Sequence, residues 1–351
     1  MKTFDYLRPA DAREAVAALA AHPEARLLSG GTNLVDLMKL GVERPELVVD
    51  VNRVDFGGIE AQPDGGLLIG AGVRNSELAA DLLVRTRYPV VARALLSAAS
   101  GQLRNMASTG GNLLQRTRCT YFMDTTKPCN KREPGTGCPA HAGLSRELGI
   151  LGVSDACIAT HPGDFAVALA ALDAEIRFET SDGPGSLPIE EFYRLPGEHP
   201  ERDTTLPAGA VITGVRIPGL PYGAVSTYRK ARDRRSYAFG LATVAAAIDV
   251  EDGRVRDVRI ALGGVAHKPW RARRAEELLI GGAAMREQFE RAAAAELAQA
   301  TPTEQNAFKV GLAERLIVGV LTELTELRDE TEPPESTDTT APTGPTTGDD
   351  A

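Results

Sequence analysis

Four cysteines are the entire thiol content of this 351-residue chain, and all lie between positions 119 and 157: Cys119, Cys129, Cys138 and Cys157. The stretch that carries them is rich in Gly, Pro, Arg and Thr and has little periodicity, so its shape must come from something other than regular structure. Four soft ligands brought together would supply that, as in an iron–sulfur cluster or a structural zinc site. The paired C-x₂₋₄-C hooks of zinc sites are absent, and so is common ferredoxin spacing. On spacing alone iron–sulfur and zinc stand level, with buried free thiols behind both. Two disulfides are disfavoured, because a chain of this length builds real cores without staples.

The cysteine window interrupts a chain that is otherwise well patterned. Helices are expected at Asp11–Ala21, Ser76–Leu83, Val90–Ser100 and Asp164–Leu172, the first capped by Asp11. Asp164 precedes the apolar run Phe165–Leu172 and reads as that helix's cap. Strands are expected at Glu46–Val51, Gly66–Val73, Ala174–Glu179 and Val211–Ile217. A second unit starts near Tyr222, with strands Val225–Lys230 and Val255–Leu262, an Ala-rich run at Ser236–Asp249 and a turn at Asp252-Gly253. Helical stretches follow at Arg271–Leu279, Met285–Ala300 and Asn306–Leu327. From about Asp329, Glu, Pro, Thr, Ser and Asp dominate, and a disordered tail over 329–351 is expected.

Composition removes some partner classes. A formal charge of −9 argues against nucleic acid, which calls for a basic face. No apolar run is long enough to cross a bilayer, and the segment Met1–Tyr6 has neither an apolar core nor a twin arginine, so a cytoplasmic chain is expected. No Ser-His-Asp set, carboxylate pair or H-E-x-x-H motif stands out. His141, His161 and His267 show no ligand spacing and read as structural. The cluster Arg229, Lys230, Arg232, Arg234 and Arg235 reads either as a salt-bridged surface or as a docking face for an anionic partner.

Two glycine loops look built to hold phosphate. One is Arg26-Leu27-Leu28-Ser29-Gly30-Gly31-Thr32-Asn33-Leu34, the other Ser108-Thr109-Gly110-Gly111-Asn112. Adjacent glycines let main-chain N–H groups face an anion with no side chain between. Neither loop is G-x-G-x-x-G or G-x-x-x-x-G-K-[ST], so neither a Rossmann site nor a P-loop is indicated. Two loops of the same pattern suit the two ends of a diphosphate.

Together these loops resemble the two FAD motifs of the FAD-binding subunit of molybdenum hydroxylases, the xanthine dehydrogenase and aldehyde oxidoreductase group. The resemblance continues through His161-Pro162-Gly163-Asp164-Phe165, through Tyr228-Arg229-Lys230 with Arg234-Arg235-Ser236-Tyr237-Ala238-Phe239, and through Ala261–Ala266 with Lys268-Pro269-Trp270-Arg271. Most members pass from the second loop to the following Asp quickly. This chain inserts the cysteine segment there, and the phrases Asn112–Arg116 and Pro128–Arg132 with Gly135–Cys138 resemble the subgroup that holds an extra [4Fe–4S] cluster on four cysteines.

The resemblance implies an α+β fold: a two-subdomain FAD-binding architecture of the vanillyl-alcohol-oxidase/PCMH-like type at 1–60 and 61–221. It implies an iron–sulfur insert at about 113–160 and a smaller C-terminal α/β domain at 222–328, like that of the CO dehydrogenase flavoprotein. It implies that Asp164 contacts the ribityl or ribose part of FAD and that Lys230 lies near the flavin. It implies a large molybdenum–pterin subunit and a small subunit with two [2Fe–2S] clusters as partners. Electrons would pass from these through FAD to an external acceptor, with no activity on organic substrate by this chain alone. Export with a partner bearing a twin-arginine signal is the alternative to the cytoplasm. Rival functions are a self-sufficient flavin oxidase and a non-enzymatic, zinc-stabilised interaction module.

Overall fold

The computed structural model describes residues 1–329, in which three sheets follow one another along the chain. Strands β1 (Asp5–Leu7), β2 (Arg26–Leu28) and β3 (Leu47–Asp50) make a parallel sheet in the order β1-β3-β2. Parallel neighbours need crossovers, and the helix Ala12–Ala21 supplies the first. It starts where the Asp11 side chain accepts from the Glu14 amide at 2.8 Å, and it buries Ala15, Val16 and Ala18 in one cluster with Val49, Val51 and Val54.

Strands β4 (Ile59–Ala61), β5 (Leu67–Gly70), β6 (Glu175–Thr180), β7 (Gly183–Pro188) and β8 (Val211–Ile217) form an antiparallel sheet in the order β4-β5-β8-β6-β7. Its inward residues Leu67, Ile69, Ile176, Val215 and Ile217 share a core with the helices Pro89–Ser97 and Asp164–Ala171. After Asp164 the second helix is apolar all round, and it is buried along its whole length, as such a helix must be. The segment forming β7, Gly-Pro-Gly-Ser-Leu-Pro, carries turn residues yet pairs along β6. It is the outer strand, where prolines cost no ladder bond on the open side.

Strands β9 (Ser226–Ala231), β10 (Ala242–Glu251), β11 (Arg254–Gly263) and β12 (Trp270–Arg271) form the third sheet, antiparallel in the order β12-β11-β10-β9. The Asp252-Gly253 turn has φ of 51° and 70°, the left-handed pair that a two-residue hairpin requires. The Ala-rich run resolves into β10, a central strand, and helices Arg273–Leu279, Arg286–Leu297 and Phe308–Asp329 pack with it in one core.

Several boundaries differ from expectation. Ser76–Leu83 is two helices, Asn75–Ala80 and Leu82–Arg87, because the Asp81 side chain caps the Val84 amide and restarts the chain. The helix expected to reach Ser100 ends at Ser97, and Ser100 caps a further helix, Gly101–Met106. Gly163, not Asp164, holds the cap position of the next helix, and Asp164 is its first residue with no side-chain cap bond. Leu34–Leu40 is a helix that the pattern did not announce. Among the described residues no helix is long and apolar enough to cross a membrane. The expected tail lies outside the described residues, apart from Asp329 at the end of the last helix.

Candidate cofactor site

The first glycine loop leaves the end of β2 and turns at Gly31, whose φ of 70° favours glycine. Gly30 is needed for a different reason. A Cβ there would lie 1.9 Å from the Met106 carbonyl oxygen, at the end of the helix that leads into the second loop. In that second loop the Ser108 hydroxyl accepts from the Gly111 amide at 3.3 Å and starts the helix Thr109–Leu113. A Cβ on Gly111 would lie 3.9 Å from that of Ser29, so the two loops face each other.

They face across an open cavity of about 1110 Å³. The amides of Gly30, Gly31, Thr32 and Asn33 have no acceptor among the described residues, which leaves donors free for an anion. The predicted residues Arg26–Leu27, Ser29–Leu34, Ser108, Gly111, Asn112, Asp164 and Lys230 all line this cavity. Leu28, Thr109 and Gly110 do not. Leu28 folds back beneath Gly31. The Thr109 and Gly110 amides are taken by the Val73 and Ala71 carbonyls at 2.9 Å each, and a Cβ on Gly110 would press on Ala71 at 3.1 Å. Gly110 therefore serves close packing against β5's end rather than offering a donor.

At the cavity wall Lys230 Nζ lies 2.7 Å from Asp164 Oδ2, with both side chains almost fully buried. The Tyr228 hydroxyl donates to the other Asp164 oxygen at 2.5 Å. Tyr228 and Lys230 alternate along β9 and so share a face. Burial, followed by the negative charge of Asp164, pushes the Tyr228 phenol well above its ordinary range. The basic cluster around Lys230 is mostly spent internally: Arg229 pairs with Glu323, Arg232 donates to the Ser97 carbonyl, and Arg234 donates to those of Ser236 and Tyr237.

The four cysteines come together. Cys119, Cys129, Cys138 and Cys157 are all free and line one small cavity of about 10 Å³. The turn Gly135-Thr136-Gly137 helps to place two of them. Asn130 takes the Gly137 amide on its side chain at 2.7 Å, and Thr136 Oγ1 takes the Cys129 amide at 3.0 Å. Burial pushes the Cys119, Cys138 and Cys157 thiols up, Cys157 to about 12, while main-chain groups at Phe122, Ala140 and Ala159 work against it by favouring the thiolates. Among the described residues no three His, Cys, Asp or Glu side chains are placed as ligands of a single metal ion. By ligand type, four thiols are a set that either zinc or an iron–sulfur cluster can use.

Two histidines read from the sequence as structural also line the large cavity. The Gly163 amide donates to His161 Nδ1 at 3.1 Å, which puts the ring proton on Nε2. His267 Nδ1 lies 3.0 Å from the Arg194 carbonyl and must donate to it, leaving Nε2 as an acceptor. Both Nε2 atoms are buried without a partner. Burial is the main reason His161 is pushed down to about 3 and His267 to about 4. Spacing gave no sign of this; only the adjacency of His161 to Asp164 hinted at it.

Known proteins resemble the chain along nearly its whole length. Residues 2–220 match the model of the FAD binding domain in molybdopterin dehydrogenase, and residues 226–324 that of the CO dehydrogenase flavoprotein C-terminal domain. The chain is 50% identical over 325 residues to the aldehyde oxidoreductase FAD-binding subunit PaoB of Escherichia coli (strain K12), covering 92% of this chain and 98% of that one. It is 25% identical over 274 residues to the xanthine dehydrogenase FAD-binding subunit of Escherichia coli O157:H7, covering 78% and 77%. Among solved structures, a carbon monoxide dehydrogenase from Hydrogenophaga pseudoflava superposes with a TM-score of 0.72 at 26% identity, over 93% of this chain and 98% of that one.

Proposed function

The chain belongs to the FAD-binding subunits of the molybdopterin dehydrogenases, and from that premise we propose that it is the electron-transferring subunit of an aldehyde-oxidising molybdenum hydroxylase. The observation that carries this is the pair of glycine loops facing each other over a cavity with free main-chain donors. Bound there, FAD would supply the electron-accepting and electron-releasing chemistry. The chain's own part is to bind, orient and shield it. The amides of Gly30–Asn33 hold the pyrophosphate, Gly111 leaves room for it, and Asp164 takes a hydroxyl of the ribityl or ribose part. Lys230, fixed by Asp164 and Tyr228 through their common carboxylate, sets the local potential. The four cysteines hold a [4Fe–4S] cluster.

The partners in this reading are a large molybdenum–pterin subunit and a small subunit with two [2Fe–2S] clusters, and electrons leave to an external acceptor. Aldehyde is favoured over purine because the identity to the aldehyde oxidoreductase subunit is 50%, against 25% to the xanthine dehydrogenase subunit. The visible spectrum of anaerobically purified chain tests the reading. Flavin bands over a broad iron–sulfur shoulder support it. Flavin alone favours a self-sufficient oxidase, and a colourless protein a zinc-stabilised module.

A further inference from the structure

The cysteine insert begins immediately after the second glycine loop, and Gln115 and Arg116 near its start grip both loops. Gln115 Nε2 donates to Asn112 Oδ1 at 3.1 Å, at the end of the second loop. The Arg116 amide donates to Asn33 Oδ1 at 2.9 Å, at the end of the first. Each asparagine's carbonyl oxygen is thus held by a residue of the insert.

The Arg116 side chain is itself fixed on three sides. Its guanidinium meets Glu43 at 2.8 Å and Asp203 at 2.9 Å, and it lies 4.7 Å over the Phe122 ring. Glu43 also holds Arg26, on the strand that delivers the first loop, at 3.1 Å. Asp203 is shared with Lys131, whose ammonium also donates to the Pro200 carbonyl at 2.7 Å. Lys131 lies in the wall of the cysteine cavity and its side chain is 1% exposed. Burial would raise the Asp203 carboxyl, but Lys131 and Arg116 overcome it and hold it at about 2. Charged contacts therefore run from Lys131, in the wall of the cysteine cavity, through Asp203 and Arg116 to Glu43 and Arg26, and the Arg116 main chain meets the first loop at Asn33.

We propose that Arg116 is a positioning residue for FAD: it transmits the order of the four-cysteine insert to the first glycine loop, so that filling the cysteine site tightens FAD binding. This rests on the reading that FAD occupies the large cavity. Because coupling between two sites is reciprocal, bound FAD should equally favour retention of the metal centre.

The test measures the FAD dissociation constant of the full chain by flavin fluorescence, with iron and sulfide content and the thermal midpoint of the flavin-free protein followed in parallel. Arg116→Gln should weaken FAD binding about tenfold or more while the iron and sulfide of the flavin-free protein stay at the level of flavin-free wild type. Cys129→Ser, which empties the cysteine site, should weaken it by a similar factor. The double variant should be no weaker than Cys129→Ser alone, and a residue that only supported the fold would not show that saturation. Arg116→Lys, which keeps the charge but not the two-pronged contact to Glu43 and Asp203, should fall between and serves if Arg116→Gln does not fold. Unchanged FAD affinity in the Arg116 variants, or effects that multiply in the double variant, would overturn the proposal and leave the cofactor assignment standing. A wild-type chain that binds no FAD would overturn both.

Discussion

At the scale of single residues, the two glycine pairs do different work although they look alike in sequence. A Cβ on Gly111 would press on Ser108 Oγ at 3.0 Å and lie 3.9 Å from Ser29 Cβ. Gly111→Val should displace the Ser108 hydroxyl and lose FAD, at least about tenfold in affinity, with flavin content and a thermal melt separating lost binding from lost folding. Gly31→Val should lose stability as well, about 1–2 kcal/mol, because of its φ of 70°. Full flavin occupancy in the Gly111 variant would remove that glycine from the site. Lys230 is bound to Asp164, so removing it both deletes a cation and exposes a carboxylate. Lys230→Met should lower the flavin midpoint potential, because negative charge developing on the flavin loses its partner. Adding Asp164→Asn should recover part of the shift. An unchanged potential in dye-equilibrated titrations would mean that Lys230 serves only its buried ion pair.

At the scale of elements, the insert is the part with least regular structure and the most side-chain anchoring. Arg132 donates to the Tyr121 and Phe122 carbonyls, Asn130 to that of Ala156, and Thr117 to that of Thr160. From the C-terminal domain, Lys309 reaches the Leu148 carbonyl and Asn306 those of Ser145 and Gly149. The insert's small apolar cluster, Phe122, Ala140, Leu148, Ile158 and Ala159, surrounds the cysteines themselves, so a group bound there would be expected to add to its stability. Anaerobically purified chain should contain about four iron and four sulfide, and Cys157→Ser should lose both and become sensitive to proteolysis between 113 and 160. Stoichiometric zinc without sulfide would reject the cluster.

At the scale of the whole molecule, buried histidines set the acid limit. In the unfolded chain His161 and His267 would each take a proton near pH 6.5, whereas the folded chain keeps them neutral down to about 3 and about 4. The unfolded state therefore binds more protons below pH 6.5, and stability falls as pH drops through that window. At about 1.4 kcal/mol per pH unit, the loss should approach about 3 kcal/mol for each histidine by pH 4. Urea midpoints from pH 8 to 4 would show it, with a shallower fall in His161→Gln; a flat profile would mean that a ligand or water neutralises the site. The assembled complex sets a second limit. The isolated chain should pass electrons between artificial donors and acceptors but oxidise no aldehyde until its large and small partners are added. Turnover of an organic substrate by the pure chain at an ordinary rate of roughly 1–1,000 per second would favour the oxidase instead.

Much of this was legible because some chemistry is written locally. The Gly-Gly pairs flanked by hydroxyl and amide residues, the confinement of all thiols to 119–157, and the Asp252-Gly253 hairpin turn depend on residue type and spacing alone. Short-range patterning also located the Ala12–Ala21 helix and the strands around Leu67, Ile176 and Val215. Other features had no local signal. The sequence 183–188 becomes a strand only because β6 offers it an edge, and Ala242–Glu251 only because β9 and β11 flank it. Gly110 turns away from the cavity because Ala71 lies behind it, and His161 and His267 reach it because their backbones meet where the His161 amide donates to the Ala266 carbonyl at 2.9 Å. Local sequence dictates what a residue can offer. Which groups it meets is decided by contacts far apart in the chain, such as Asp164 with Lys230 or Arg116 with Asp203, and those exist only once the sheets and the insert have packed.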